Sequence, residues 1–155
     1  MNTPTLREGT LAFHVAATHA RGIPLSEHFL EREVQSTGRP RAELWELMRT
    51  RVAVMRHALK RGLETPQNSR SGLVDGSAHR LSQWASEGHS LLGPAFSKML
   101  ASALAVAEVN ACMGRIVAAP PAGSCGVMPA AIFTVASERQ VPEEAILRAL
   151  FPAGG

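Results

Sequence analysis

The stretch PRAELWELMRTRVAVMRHALKR, residues 40–61, decides the fold class. Leu44, Met48, Val52, Met55 and Leu59 recur at steps of four, four, three and four, which draws one apolar stripe down a helix opened by Pro40. The opposite face carries Arg49, Arg51, Arg56 and Lys60, with Glu43 and Glu46 nearby. That face reads either as a solvated surface or as a stripe for phosphates. Working outward, residues 5–21 form a short helix ending at Gly22, and a second runs from Pro24 to about Thr37 and stops at Gly38. A turn-rich loop over residues 64–77 leads to a short helix with Leu81 and Trp84, ended by Gly88. Gly93-Pro94 opens a helix over about residues 93–113 that is apolar on all sides, the mark of a central buried element. A helix follows around residues 129–139, and Pro142-Glu143-Glu144 announces the last one. Sustained β-type alternation is absent. The expectation is an all-α, compact multi-helix domain over residues 1–155, with a central apolar helix and two loops rich in Gly, Ser and Pro.

Composition bounds the function. Hydrophobic residues make up 45% and charged residues 19% of the 155-residue chain, as in ordinary globular proteins. A formal net charge of +3 is small for a nucleic-acid binder. The first residues carry Arg7 and Glu8 and no apolar stretch behind a basic start, so no secretory leader is expected. No charge occurs between Arg115 and Glu138, but Pro120, Pro121, Pro129, Gly123 and Gly126 would leave backbone groups unpaired at membrane depth. This segment reads as a buried loop between helices, with no membrane partner. The two cysteines, Cys112 and Cys125, form neither a disulfide framework nor a C-x-x-C pair, which favours a reducing, cytoplasmic setting. The six histidines are scattered and offer no zinc spacing, so they read as surface or boundary residues.

Two places carry chemistry. Gly123-Ser124-Cys125-Gly126 precedes a helix, where backbone N–H groups could cradle an anion such as an amino-acid carboxylate, or could form a tight packing turn. Glu108 and Asn110 sit on the apolar helix that leads into this loop. A buried carboxylate needs a partner, either Arg115 or the ammonium group of a ligand.

The run EVNACMGRIVAAPPAGSCGVMPA, residues 108–130, closely resembles the alpha chain of the iron–sulfur-dependent L-serine dehydratases. SGLVDGSAHRL, residues 71–81, resembles that family's second glycine-containing loop, and AILRALFPAG, residues 145–154, continues the match. The resemblance implies an all-helical chain that takes part in L-serine deamination, a lyase reaction giving pyruvate and ammonia. It implies substrate-binding roles for Ser71, Gly72, Asp75, Gly76, Ser77, Asn110, Ala122, Gly123, Ser124 and Gly126. It also implies a 4Fe-4S cluster in the complete enzyme, with one iron left open as a Lewis acid for the serine hydroxyl. Partners implied are L-serine, a beta chain or beta domain, and a homo- or hetero-oligomeric assembly. Pyridoxal phosphate is not expected: Lys60 and Lys98 are the only lysines, and neither lies in a glycine-rich phosphate setting.

The chain departs from the family at several points. The family's cluster cysteines lie beyond the position of Gly155, so this chain alone is expected to bind no cluster and to be inactive by itself. Pro120-Pro121 stands where the family has Pro-Thr, Asp75-Gly76-Ser77 where it has Gly-Gly-Asp, and Arg80 where it has lysine. The leading expectation is therefore an amino-terminal alpha-type domain supplying substrate-site loops. The alternatives are a non-catalytic relative binding a small amino acid or a partner chain, and a nucleic-acid binder using the arginine face.

Overall fold

The computed structural model describes residues 7, 9–119, 121 and 123–154. Among them are seven helices: α1 Leu11–Arg21, α2 Leu25–Thr37, α3 Arg41–Glu64, α4 Ser77–Ser86, α5 Pro94–Ala111, α6 Ser124–Glu138 and α7 Glu143–Ala153. An isolated bridge between Asn68 and Asp75 is the one β-type pairing among the described residues. The all-α class expected from the sequence is what the chain adopts.

The helix ends follow from local chemistry. Thr10 caps α1 by accepting the Phe13 N–H at 3.3 Å and sets its start at Leu11, while residues 5, 6 and 8 of the expected helix lie outside the described residues. Pro94 occupies the first turn of α5, where a missing N–H costs nothing. Past α5, Met113 takes the left-handed conformation (φ 60°). The Gly114 N–H then closes on the Val109 carbonyl at 2.7 Å and the Met113 N–H on that of Asn110 at 3.0 Å, a Schellman ending built without glycine at the left-handed position. α6 starts at Ser124, ahead of the expected position, and contains Pro129. That proline removes the N–H that would close on the Cys125 carbonyl.

The chain divides into two compact units, one made of residues up to Met48 with those from Leu147 onward, the other of Arg49–Ile146. In the first, α1 packs on α2, and Leu30, Leu44, Met48, Leu147, Leu150 and Phe151 are buried. Trp45 meets Phe151 edge-on at 5.5 Å, and Arg148 lies over the Trp45 ring. In the second, α5 packs against α4 and α6. Ala58, Leu59, Val106 and Val109 form its core, with Ile116 and Phe133 against it. Every residue of the stripe that opened the sequence reading is buried.

Close approach in the second unit depends on small residues. A Cβ at Gly62 would stand 2.6 Å from the Ala105 carbonyl oxygen, and one at Gly126 would stand 2.7 Å from that of Ala103. This corrects the expectation for α5. It is buried along Ala101, Ala105, Val106 and Val109, whereas Phe96, Leu100 and Leu104 are 43%, 44% and 37% exposed. The neighbouring helices seat on its alanine side and leave the larger side chains outside. The segment between α5 and α6 is likewise only half-buried, with Ala118, Pro121 and Gly123 exposed.

Candidate functional site

The first loop is held by its own polar groups. The Ser69 N–H donates to the Val74 carbonyl (3.0 Å), and the Ser69 hydroxyl accepts from the Val74 N–H (3.0 Å) while lying 3.1 Å from the Ser71 hydroxyl. The Gly72 N–H donates to the Ser69 carbonyl at 3.1 Å. Gly76 stands at φ 78° with Pro66 so close that a Cβ would sit 2.7 Å from the Pro66 Cβ, so only glycine serves this corner. Ser77 then opens α4 and donates its hydroxyl to Asp75 Oδ1 at 2.8 Å, while Arg80 grips both Asp75 oxygens at 2.9 Å. The Ser77 hydroxyl, and after it Arg80, hold the Asp75 carboxyl below the usual carboxylate range. Arg80, which replaces the expected family lysine, thus clamps the loop.

Beneath this loop lies Glu108, 6% exposed. Its Oε1 accepts the Ala78 N–H at 3.0 Å, satisfying a backbone donor of the first turn of α4. Its Oε2 is buried and has no partner among the described residues. The partner expected from the sequence, Arg115, is instead exposed. A backbone N–H thirty residues away in sequence was not a visible candidate.

Sequence reasoning also missed Arg61, Gln67 and His79. Gln67 is 5% exposed and donates from Nε2 to the Thr65 carbonyl at 2.8 Å. Its Oε1 accepts the Arg61 Nε–H at 3.1 Å. His79 Nδ1 lies 2.7 Å from the Leu63 carbonyl and ties α4 to the end of α3. None of these matches a short motif, and only burial singles out Gln67.

The second loop fits the expected anion cradle poorly. Gly123 has φ 92° and ends the turn into α6, but the Ser124 N–H already donates to the Pro121 carbonyl and the Gly126 N–H to that of Gly123, both at 3.1 Å. Gly126 is buried against α5, which makes it a packing glycine. Asn110 is exposed rather than buried, and Cys112 and Cys125 are half-buried free thiols. Ala122 lies outside the described residues.

The first unit holds a polar cluster where ordinary surface histidines were expected. His14 is 5% exposed, and its Nδ1 lies 3.0 Å from His28 Nε2. The Arg32 guanidinium sits 3.2–3.3 Å from the His14 ring nitrogens. Burial first, then the charges of His14 and Arg32, push the His28 pKa down, and its Nδ1 is buried without a partner among the described residues. No set of three or more His, Cys, Asp or Glu side chains could hold a metal ion among the described residues. Iron–sulfur clusters need more thiolates than the pair present, so the donor set does not fit such a group. No described helix is long and apolar enough to cross a membrane.

Residues 20–155 match the family described as serine dehydratase alpha chain. A probable L-serine dehydratase alpha chain of Bacillus subtilis (strain 168) is 34% identical over 140 residues, covering 90% of this chain and 46% of that protein. The L-serine dehydratase alpha chain of Peptoniphilus asaccharolyticus is 36% identical over 110 residues, covering 71% of this chain and 38% of that protein. The chain therefore spans less than half the length of these curated relatives. No solved structure matches it. With the all-helical fold and the loop of residues 71–77 seated over Glu108, the match over nearly the whole length makes this chain a member of the serine dehydratase alpha chain family.

Proposed function

We propose that this chain binds L-serine and forms part of an L-serine ammonia-lyase that yields pyruvate and ammonia. The observation that carries the reading is Glu108. It is the first residue of the longer segment resembling the family, and it holds the glycine-containing loop of residues 71–77 through the Ala78 N–H, so the two family segments meet at one buried carboxylate. Glu108 acts as a positioning residue for Ser71, Gly72, Asp75, Gly76 and Ser77. Its open oxygen is an acceptor beneath the loop.

The reaction removes the α-proton of serine and expels the β-hydroxyl, and the resulting aminoacrylate hydrolyses to pyruvate and ammonia. Hydroxide is a poor leaving group, so its departure needs an acid or a metal. This chain has no fitting donor set, and the reading assigns that step to the complete enzyme, with its cluster and a beta chain or domain. Free cysteines accord with a cytoplasmic setting. A second reading, a non-catalytic amino-acid-binding relative, is favoured by the same shortage of thiolates. Nucleic-acid binding is not proposed: Arg49 faces Glu143 at 4.0 Å, and Arg56 lies over the Phe133 ring at 4.5 Å.

Calorimetric titration with L-serine and D-serine tests the reading. L-serine is expected to bind and D-serine to bind roughly tenfold more weakly or worse; equal affinities, or no heat from either, contradict it. Pyruvate formed by this chain alone after anaerobic supply of iron and sulfide would overturn the assignment of the elimination step to other parts.

A further inference from the structure

The last turn of α3 presents an exposed arginine that a buried glutamine orients. Arg61 Nε donates to Gln67 Oε1 at 3.1 Å, and Gln67 is itself buried and anchored to the Thr65 carbonyl. Arg61 Nη1 lies 3.1 Å from the place a Cβ on Gly114 would occupy, so the guanidinium reaches from the first loop to the entrance of the second. No carboxylate forms an ion pair with Arg61 among the described residues, and neither Nη group has a hydrogen-bond acceptor among them. A guanidinium fixed at Nε and open along its Nη edge has the fork geometry that takes a carboxylate through two parallel hydrogen bonds. Were the arginine present only to favour the end of α3, its Nε would be as well satisfied by water, and a buried glutamine would not be needed to aim it.

We infer that the Arg61 guanidinium, aimed by Gln67 and given room by Gly114, is the receptor for the α-carboxylate of an amino-acid ligand. The assignment rests on the proposed L-serine reading but concerns a different part of the ligand from the hydroxyl that leaves. It is a binding role, not a proton-transfer role.

The test compares L-serine, L-serinamide and acetate by calorimetry on the full chain and on Arg61→Gln, Arg61→Lys and Gln67→Leu, with a thermal melt of each. The wild-type chain is expected to prefer L-serine over L-serinamide by roughly ten- to a hundredfold. Arg61→Gln should lose that preference while its melt stays near wild type. Arg61→Lys should keep part of it, because charge remains and the fork does not. Gln67→Leu should weaken L-serine binding and leave L-serinamide binding as it was. Acetate binding that is lost in Arg61→Gln, with no L-serine binding, would keep the carboxylate receptor and discard the serine reading. L-serine binding that is equal in wild type and Arg61→Gln would overturn the receptor and keep the reading. No binding of L-serine or acetate to the wild-type chain would overturn both.

Discussion

Each unit buries one polar atom without a partner among the described residues: His28 Nδ1 in the first and Glu108 Oε2 in the second. The two clusters solve the same problem differently. Glu108 spends one oxygen on the backbone N–H at a helix start, an arrangement that fixes a loop. His14 Nδ1 and His28 Nε2 lie 3.0 Å apart with Arg32 against His14, and burial together with these neighbours favours the neutral form of His28. The first is a positioning device. The second is most stable while His28 stays uncharged.

Substitution at the closest backbone contact has the largest expected effect and tests whether the second unit is the rigid one. Gly62→Val forces a side chain into the Ala105 backbone and should cost more than about 4 kcal/mol in denaturant unfolding, or prevent folding. Next come the Glu108 variants, which separate shape from charge. Glu108→Ala strands the buried Ala78 N–H and opens a cavity, for a loss of about 2–4 kcal/mol. Glu108→Gln keeps an acceptor for Ala78 and should cost about 1 kcal/mol or less. Equal losses from the two would show that the carboxylate only fills space.

The pH dependence breaks or sharpens the other half of the comparison. The folded pKa of His28 lies below its ordinary value of 6.5, so the unfolded chain takes up protons first as pH falls. The stability of the first unit is fully present above about pH 6.5 and should decline below it, by up to about 1.4 kcal/mol per pH unit. Nearby Arg21 strengthens this trend and Glu31 opposes it. Melts between pH 8 and 5 read the slope, and His28→Phe should flatten it. The smallest effect is a gain: Met113 is 94% exposed at φ 60°, so Met113→Gly relieves a left-handed backbone and should stabilise by a few tenths to about 1 kcal/mol.

The fold was legible where one period dominated. The stripe from Leu44 to Leu59 gave α3, and capping residues placed most helix ends. What escaped was set by partners distant in sequence. Apolar residues all round α5 imply full burial, but only its alanine side allows helices close enough to seat, so Leu100 and Leu104 stay outside. Glu108 stood out because it interrupts an apolar run, whereas His14 and His28 lie on separate short helices and only the packing of α1 on α2 brings their rings together. Gly126 looked like part of a ligand turn because composition cannot distinguish a glycine that admits a ligand from one that admits a helix backbone. The Arg61–Gln67–Gly114 arrangement has no sequence signature, since its parts lie at the ends of separate elements.

The most direct test of the central claim is a titration of ¹⁵N-labelled chain with L-serine, following the backbone amides of residues 71–78 and 108–126. The account predicts saturable shifts that appear in both segments with one dissociation constant, include the Ala78 amide, and vanish in Arg61→Gln. Shifts confined to one segment, or no shifts at saturating L-serine, would contradict it.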